Sequence, residues 1–243
     1  MELKLYPTER IDDLLTHNLK IIQSREVFSF SMDAVLLAHF ATIPLKGKII
    51  DLCTGNGVIP FLVSVYTKAD IIGIDIQERL VDMATRSVFL NNLTKQIKVV
   101  HGDLKDSPRI FGAGEFDLVT VNPPYLPLTG QDKNINKYVA IARHEVHTNL
   151  EEVIDTGNKL LKVGGRMAMV HRPSRLGDII YLLREVKLEP KRIRFVHPSL
   201  NKEANMVLIE AKKQGGKELH ILPPIIVYDE NGQYTDEIYK IYY

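Results

Sequence analysis

Three acids and one rigid turn stand out for what their types and spacing can do. Asp51, Asp75 and Asp103 lie at or just past the ends of short apolar runs, and Asn122-Pro123-Pro124-Tyr125 follows a fourth. A carboxylate at a strand end accepts hydrogen bonds from ribose hydroxyls, and Asp75 lies 24 residues after Asp51, where a nucleotide fold puts such a group. Thr54-Gly55-Asn56-Gly57 follows the first run; its glycines let backbone N–H groups approach a ligand closely. No Gly-Lys-Ser/Thr follows, so the turn is not a phosphate-binding P-loop. In Asn122–Tyr125 the two prolines cannot continue a ladder and force a stiff, extended turn that holds an amide and an aromatic ring in place. Each acid taken singly also reads as a turn residue or helix cap, and Asn and Pro are ordinary in turns. Four such features in order along one chain point to a ligand edge.

The elements that must position these residues follow from periodicity. Lys48–Cys53, Asp70–Asp75, Ile97–His101 and Phe116–Val121 read as buried strands, rich in β-branched residues. Helices are expected after Gly57, with Pro60 near the start, and over Glu78–Leu90. Further on, helical patterning runs from Tyr138 to Leu161 and is stopped by Gly164-Gly165. A strand over Arg166–His171, a helix over Leu176–Val186 and closing strands near Ile193–Val196 and Met206–Ala211 follow. Before the first strand, a helical stretch is expected around Ile11–Leu15, an extended segment or hairpin over Ile21–Phe30, and a helix capped by Ser31 with Asp33 in its first turn. His39 on that helix is a packing residue, since no partner stands at metal-ligand spacing. The alternation is that of an α/β fold with a parallel sheet, whose ligands bind at the carboxyl ends of the strands. The expected organisation is one domain over 47–243 with an N-terminal extension over 1–46 packing on it. Residues 126–136 are polar and patternless, and next to the rigid turn they read as a lid over substrate.

Composition narrows the classes. The chain of 243 residues is 45% hydrophobic and 25% charged, which is ordinary for a globular protein. One cysteine, Cys53, excludes an internal disulfide framework and a cysteine-cluster zinc site, and no metal is expected. No apolar run reaches the roughly 18 residues of a membrane span, and Met1–Pro7 lacks a signal-peptide core; a cytoplasmic protein without membrane attachment is expected. The net charge of +1 hides an asymmetry: between Lys162 and Lys217 stand 13 Lys/Arg against 5 Asp/Glu, whereas the tail from Glu218 is acidic. A basic face or simply a solvated one fits that stretch.

Asp51-Leu52-Cys53-Thr54-Gly55-Asn56-Gly57, then Asp75, Gly102-Asp103 and Asn122-Pro123-Pro124-Tyr125, resemble the motifs of class I S-adenosylmethionine-dependent methyltransferases. The resemblance implies a seven-stranded Rossmann-like sheet, mostly parallel with an antiparallel last strand and helices on both faces. It implies S-adenosylmethionine as cofactor. Asp51 and Thr54, Gly55, Asn56 and Gly57 would then hold its methionine portion, Asp75 its ribose, and Ile76 would pack on its adenine. Asp103 would take the adenine amino group, Leu104 would donate from its backbone, and Asn122 would border the cofactor. Phe28–Asp33 would close over the methionine end. Cys53 departs from the family by standing in place of the first glycine of the loop.

The Asn-Pro-Pro-Tyr form marks amino methyltransferases acting on adenine N6, guanine N2 or protein glutamine. A purine's exocyclic amine is a poor nucleophile because its lone pair is delocalised into the ring. The amide oxygen of Asn122 and the carbonyl of Pro123 can each accept one of its N–H bonds and favour the developing cation, with Pro124 keeping both preorganised. Tyr125 offers a stacking face worth about 1–3 kcal/mol to an unstacked base. The whole-chain pattern, with Phe28–Leu37 and Ala142-Arg143-His144-Glu145, is similar to the bacterial family of tRNA adenine-N6 methyltransferases that modify the adenine beside the anticodon of a valine tRNA. That resemblance implies a tRNA partner, and the basic stretch with Arg172, Arg175, Lys191, Arg192, Arg194 and Lys202 supports a phosphate-rich one; Phe30, Lys133 and Arg143 are further candidate substrate contacts. A protein-glutamine N5 methyltransferase and an rRNA guanine-N2 methyltransferase stand as alternatives.

Overall fold

Runs of β-branched residues alternating with amphipathic segments build a central sheet with helices on both faces. The computed structural model describes residues 4–14, 17–27, 32–124 and 148–242. The parallel half is β3 (Lys48–Leu52), β4 (Asp70–Asp75), β5 (Ile97–His101) and β6 (Phe116–Val121), in spatial order β6-β3-β4-β5. β7 (Leu161–His171) lies parallel to β6, and β9 (Met206–Lys213) inserts antiparallel between β7 and β8 (Leu188–His197). β9, the last of these seven strands, runs antiparallel to its neighbours, as expected of the last strand.

The sheet nevertheless has nine strands among the described residues. After β9 the chain returns along the outer edge of β8 as β10 (His220–Ile221) and β11 (Ile225–Ile226), both parallel to it. Pro223 and Pro224 stand between them. Lacking N–H groups, they split one extended pass into two short strands at an edge, where proline is tolerated.

Strand alternation divides the core. Ile49, Leu118, Ala168, Val170 and Leu208 face α1 (Met32–Phe40) and α2 (Val58–Ser64). Ile50, Leu52, Val119, Val121, Met167 and Met169 face α5 (Leu150–Leu160) and α6 (Leu176–Glu185). α3 (Glu78–Leu90) covers β4 and β5, the short α4 (Ser107–Phe111) packs near α5, and α7 (Asp236–Tyr242) closes beside α1. α5 begins where Asn149 and Glu152 cap each other reciprocally: Asn149 Oδ1 accepts from the Glu152 N–H, and Glu152 Oε2 from the Asn149 N–H.

Two local expectations are corrected. Residues 9–13 are β1 (Glu9–Asp13), paired antiparallel with β2 (Lys20–Ser24), rather than part of a helix. The helical spacing of Ile11, Leu14 and Leu15 gives way there because the strand itself has one apolar residue, Ile11, and the partner strand decides. Gly164-Gly165 does not end α5, which stops at Leu160; the pair lies inside β7, where the register with β6 shifts between Phe116 and Leu118. Gly164 takes φ +81, and a Cβ on Gly165 would meet the Phe116 carbonyl at 3.1 Å, so the irregularity needs glycine. The hairpin of β1 and β2 is bolted to α3: Arg86 donates to both Glu9 oxygens at 2.7 Å, and the Ile22 N–H donates to Ser87 Oγ at 2.9 Å.

Candidate functional site

Strand register assembles the site. Asp51 pairs with Thr120 across β3 and β6 and with Gly73 across β3 and β4; Leu52 pairs with Val121. The residues that follow, Cys53 and Asn122, therefore leave the sheet on neighbouring strands about 4.8 Å apart. The turn after β3 winds through left-handed backbone at Cys53 (φ +56), Gly55 (φ +57) and Gly57 (φ +90). Cys53, where the family has glycine, thus occupies a conformation that favours glycine. A Cβ on Gly55 would meet nothing within 4 Å among the described residues, which leave that side of the turn open. A Cβ on Gly57 would press on the Phe61 ring at 3.1 Å.

Two buried carboxylates flank the turn. Asp75 Oδ2 accepts the Gly55 N–H at 2.8 Å and Oδ1 the Gln77 N–H at 2.9 Å, which fixes the turn against the end of β4. Burial pushes the Asp75 carboxyl up, while the Gln77 and Gly55 N–H groups and His101 act against it. Asp51 is 1% exposed, and Thr120 Oγ1 donates to its Oδ1 at 2.6 Å. Burial drives the Asp51 carboxyl up to about 7; the hydroxyls of Thr120 and Thr54 oppose the shift and the charge of Asp75 adds to it. Burial, then the charges of Asp75, Asp51 and Asp103, push the Cys53 thiol up as well, so a thiolate is disfavoured here. Asp103 caps the turn at Leu104–Asp106, accepting the Lys105 N–H at 2.9 Å. Ile76 stays 37% exposed beside Asp75, an apolar side chain open to a flat ligand.

Whether these residues fit S-adenosylmethionine is testable on their unmet polar atoms. Asp51 Oδ2, Thr54 Oγ1, Asn56 Nδ2 and Gln77 Oε1 are buried, and none has a hydrogen-bond partner among the described residues. Buried polar groups are ordinarily satisfied, so four unmet ones around an open glycine turn fit a polar ligand with donors and acceptors on both sides. The residues fit the group. Thr120, Gly73 and Gln77 escaped the sequence reading. A Cβ on Gly73 would stand 2.8 Å from Thr54 Oγ1, so glycine there makes room for the turn. The signal for Thr120 was its place two residues before Asn122 on an alternating strand.

On the substrate side, Asn122 and Pro124 are half-buried and Pro123 is buried, just past β6. Tyr125, Phe30, Lys133 and Arg143 lie outside the described residues, as do Ser31 and the expected lid. Arg172 and Arg175 follow β7, the strand next to β6; Arg172 donates to the Asn205 carbonyl and Arg175 to Asp178. Arg192 and Arg194 sit on β8, three strands from β6. Arg192 pairs with the fully buried Glu210, donates to the Phe40 carbonyl at 2.6 Å and lies over the Phe40 ring. Arg194 donates to the Pro223 carbonyl and pairs with Glu237. These two arginines anchor α1 and the acidic tail. Arg166 and Lys162, within the same basic stretch, likewise pair with Glu210 and Asp117.

Comparison with known proteins gives this geometry its context. A tRNA1(Val) (adenine(37)-N6)-methyltransferase of Porphyromonas gingivalis is 25% identical over 218 residues, covering 86% of this chain and 85% of its own. The like-named protein of Parabacteroides distasonis is 27% identical over 180 residues, 73% of this chain and 74% of its own. Among solved structures, a predicted O-methyltransferase of Agrobacterium tumefaciens superposes with TM-score 0.68 at 22% identity, covering 87% of this chain and 95% of that one. That likeness establishes the fold alone. The methyltransferase small domain model matches residues 18–181, and the chain belongs to that family.

Proposed function

We propose that this protein transfers a methyl group from S-adenosylmethionine to the exocyclic N6 amine of an adenine in tRNA, beside the anticodon of a valine tRNA. The observation that carries this reading is Asn122-Pro123-Pro124, a rigid pair of acceptors one strand from a glycine turn ringed by unmet polar atoms. The name shared by relatives that span most of the chain supports the substrate. When bound, S-adenosylmethionine supplies a methyl group activated by a sulfonium. Asp75 accepts from the ribose hydroxyls, Ile76 covers one adenine face, and Asp103 with the Leu104 N–H reads the adenine edge. Asp51 and Thr54–Gly57 hold the methionine end. Asn122 Oδ1 and the Pro123 carbonyl accept the two N–H bonds of the substrate amine and orient its lone pair, while Tyr125 stacks on the base. Asn122 aligns the amine as a hydrogen-bond acceptor and removes no proton itself. Arg172 and Arg175, with Lys133 and Arg143, serve the RNA phosphates.

The test is incubation with labelled cofactor and, separately, tRNA from a strain lacking the gene, rRNA and release-factor protein. Label recovered as N6-methyladenosine from tRNA is expected. Label in protein alone, or in guanine of rRNA alone, would replace this reading with one of its alternatives.

A further inference from the structure

The pair Thr120–Asp51 has a geometry that the cofactor reading leaves unused. Both side chains are fully buried, and the Thr120 hydroxyl occupies Asp51 Oδ1 while Oδ2 has no partner among the described residues. Among the described residues no cation stands beside this carboxyl. From β6 it meets only the neutral hydroxyl of Thr120, and from β4 only the like charge of Asp75. The turn adds Thr54 and the un-ionised thiol of Cys53, and α2 carries no ionisable side chain. On α1 the ionisable groups are Asp33 and His39, and neither acts on Asp51. A lone carboxylate in such a site is costly, and a proton is the cheapest remedy until a cation arrives.

We propose that Thr120 is a positioning residue for cofactor binding: it occupies one oxygen of Asp51 and leaves the other to carry the proton that burial imposes on the free protein, a proton surrendered when the ammonium end of the cofactor docks. The O–H bond at Oδ2 breaks, the proton passes to solvent, and the carboxylate left behind pairs with the ammonium. The inference rests on the assignment of Asp51 to the methionine portion of S-adenosylmethionine. It adds that binding is proton-coupled and that a residue of the strand leading into Asn122 sets the coupling. Thr120 thereby links the cofactor strand to the strand that carries the substrate turn.

Calorimetric titration of the full chain with S-adenosylhomocysteine, which keeps the ammonium, in two buffers of different ionisation enthalpy reads the coupling directly. Release of nearly one proton is expected at pH 6, falling toward zero by pH 8.5. Asp51→Asn should still bind, more weakly, and release none. Thr120→Val removes the donor that favours the ionised form, so its release should persist to higher pH and its affinity at pH 6 should fall about tenfold; Thr120→Ser should restore both. Binding heats independent of buffer at pH 6, or proton release unchanged in Asp51→Asn, would overturn the proposal while leaving the cofactor assignment standing. No binding heat at all would overturn both. Should Thr120→Val fail to fold, the Asp51→Asn comparison and the wild-type pH profile decide alone.

Discussion

Asn122 and Cys53 carry opposite burdens at the ends of neighbouring strands. In the proposed function Asn122 holds an amine in its reacting geometry, so its loss should appear in turnover rather than in cofactor binding. Asn122→Ala is expected to lower kcat by about 10²-fold or more, the usual scale for one preorganised acceptor or donor, with cofactor affinity within about twofold of wild type. Equal losses in both, measured by single-turnover kinetics and calorimetry, would make the residue structural. Cys53 holds the left-handed conformation of the turn (φ +56) that glycine adopts without cost. Cys53→Gly is expected to leave cofactor binding intact and to raise stability by about 1 kcal/mol, less what is lost in side-chain packing; Cys53→Val, β-branched at the same φ, should destabilise by a similar or larger amount. Urea melts with and without cofactor separate the two effects. The departure from the family's glycine was legible in the sequence, but its conformational consequence was not, because φ is set by the turn as a whole.

At the scale of elements, the residues of the parallel half were readable because each strand is a short apolar run closed by a turn signal. Asp70–Asp75, Glu78–Leu90, Ile97–His101 and Phe116–Val121 coincide with β4, α3, β5 and β6. The reading failed where long-range pairing overrides local period, at β1, and where glycines served an irregular strand rather than a helix end, at β7. It also shortened β8, whose Pro190 reads as a breaker yet sits within the strand at a register shift between Pro190 and Arg192. The basic stretch shows the same limit. Composition counts charges, but β8 and β9 bring Arg192 and Arg166 onto Glu210, which also accepts from the Thr42 N–H and hydroxyl. That buried network fastens the end of α1 to the sheet. Arg192→Gln is therefore expected to cost roughly 2 kcal/mol of stability without changing the salt dependence of tRNA binding. Arg172→Gln, just past the end of the strand beside the Asn-Pro-Pro turn, should reduce the slope of log affinity against log salt by about one, with a smaller change in stability. Filter binding at several salt concentrations, alongside thermal melts, distinguishes an anchoring arginine from a phosphate-binding one.

For the whole molecule, two buried groups at the carboxyl ends of β3 and β7 set a pH dependence in which their contributions nearly cancel. Asp51 has its carboxyl raised by burial to about 7, so between the ordinary carboxylate range and that value the folded state binds more protons than the unfolded one. Its contribution to stability is complete at low pH and is lost as pH rises toward 7. His171, at the end of β7, is lowered to about 4 by burial first and by the charges of Arg175 and Arg172. Between about 4 and the ordinary histidine range the unfolded state binds the extra proton, so this contribution is present at neutral pH and is lost as pH falls toward 4. Each effect is on the order of 3–4 kcal/mol at its limit, with opposite slopes in the same window. The wild-type stability attributable to this pair should thus be nearly flat from about pH 4.5 to 6. His171→Gln should leave a stability that falls as pH rises through that window, and Asp51→Asn one that rises. Urea melts of the three proteins at half-unit pH intervals, without cofactor, read the slopes as differences from wild type, in which the remaining carboxylates drop out. Parallel curves for all three would mean that neither group titrates as its burial dictates. The cofactor adds a last discriminating condition: a ligand that pairs with ionised Asp51 should stabilise the wild type more at pH 8 than at pH 5, an increment that Asp51→Asn loses.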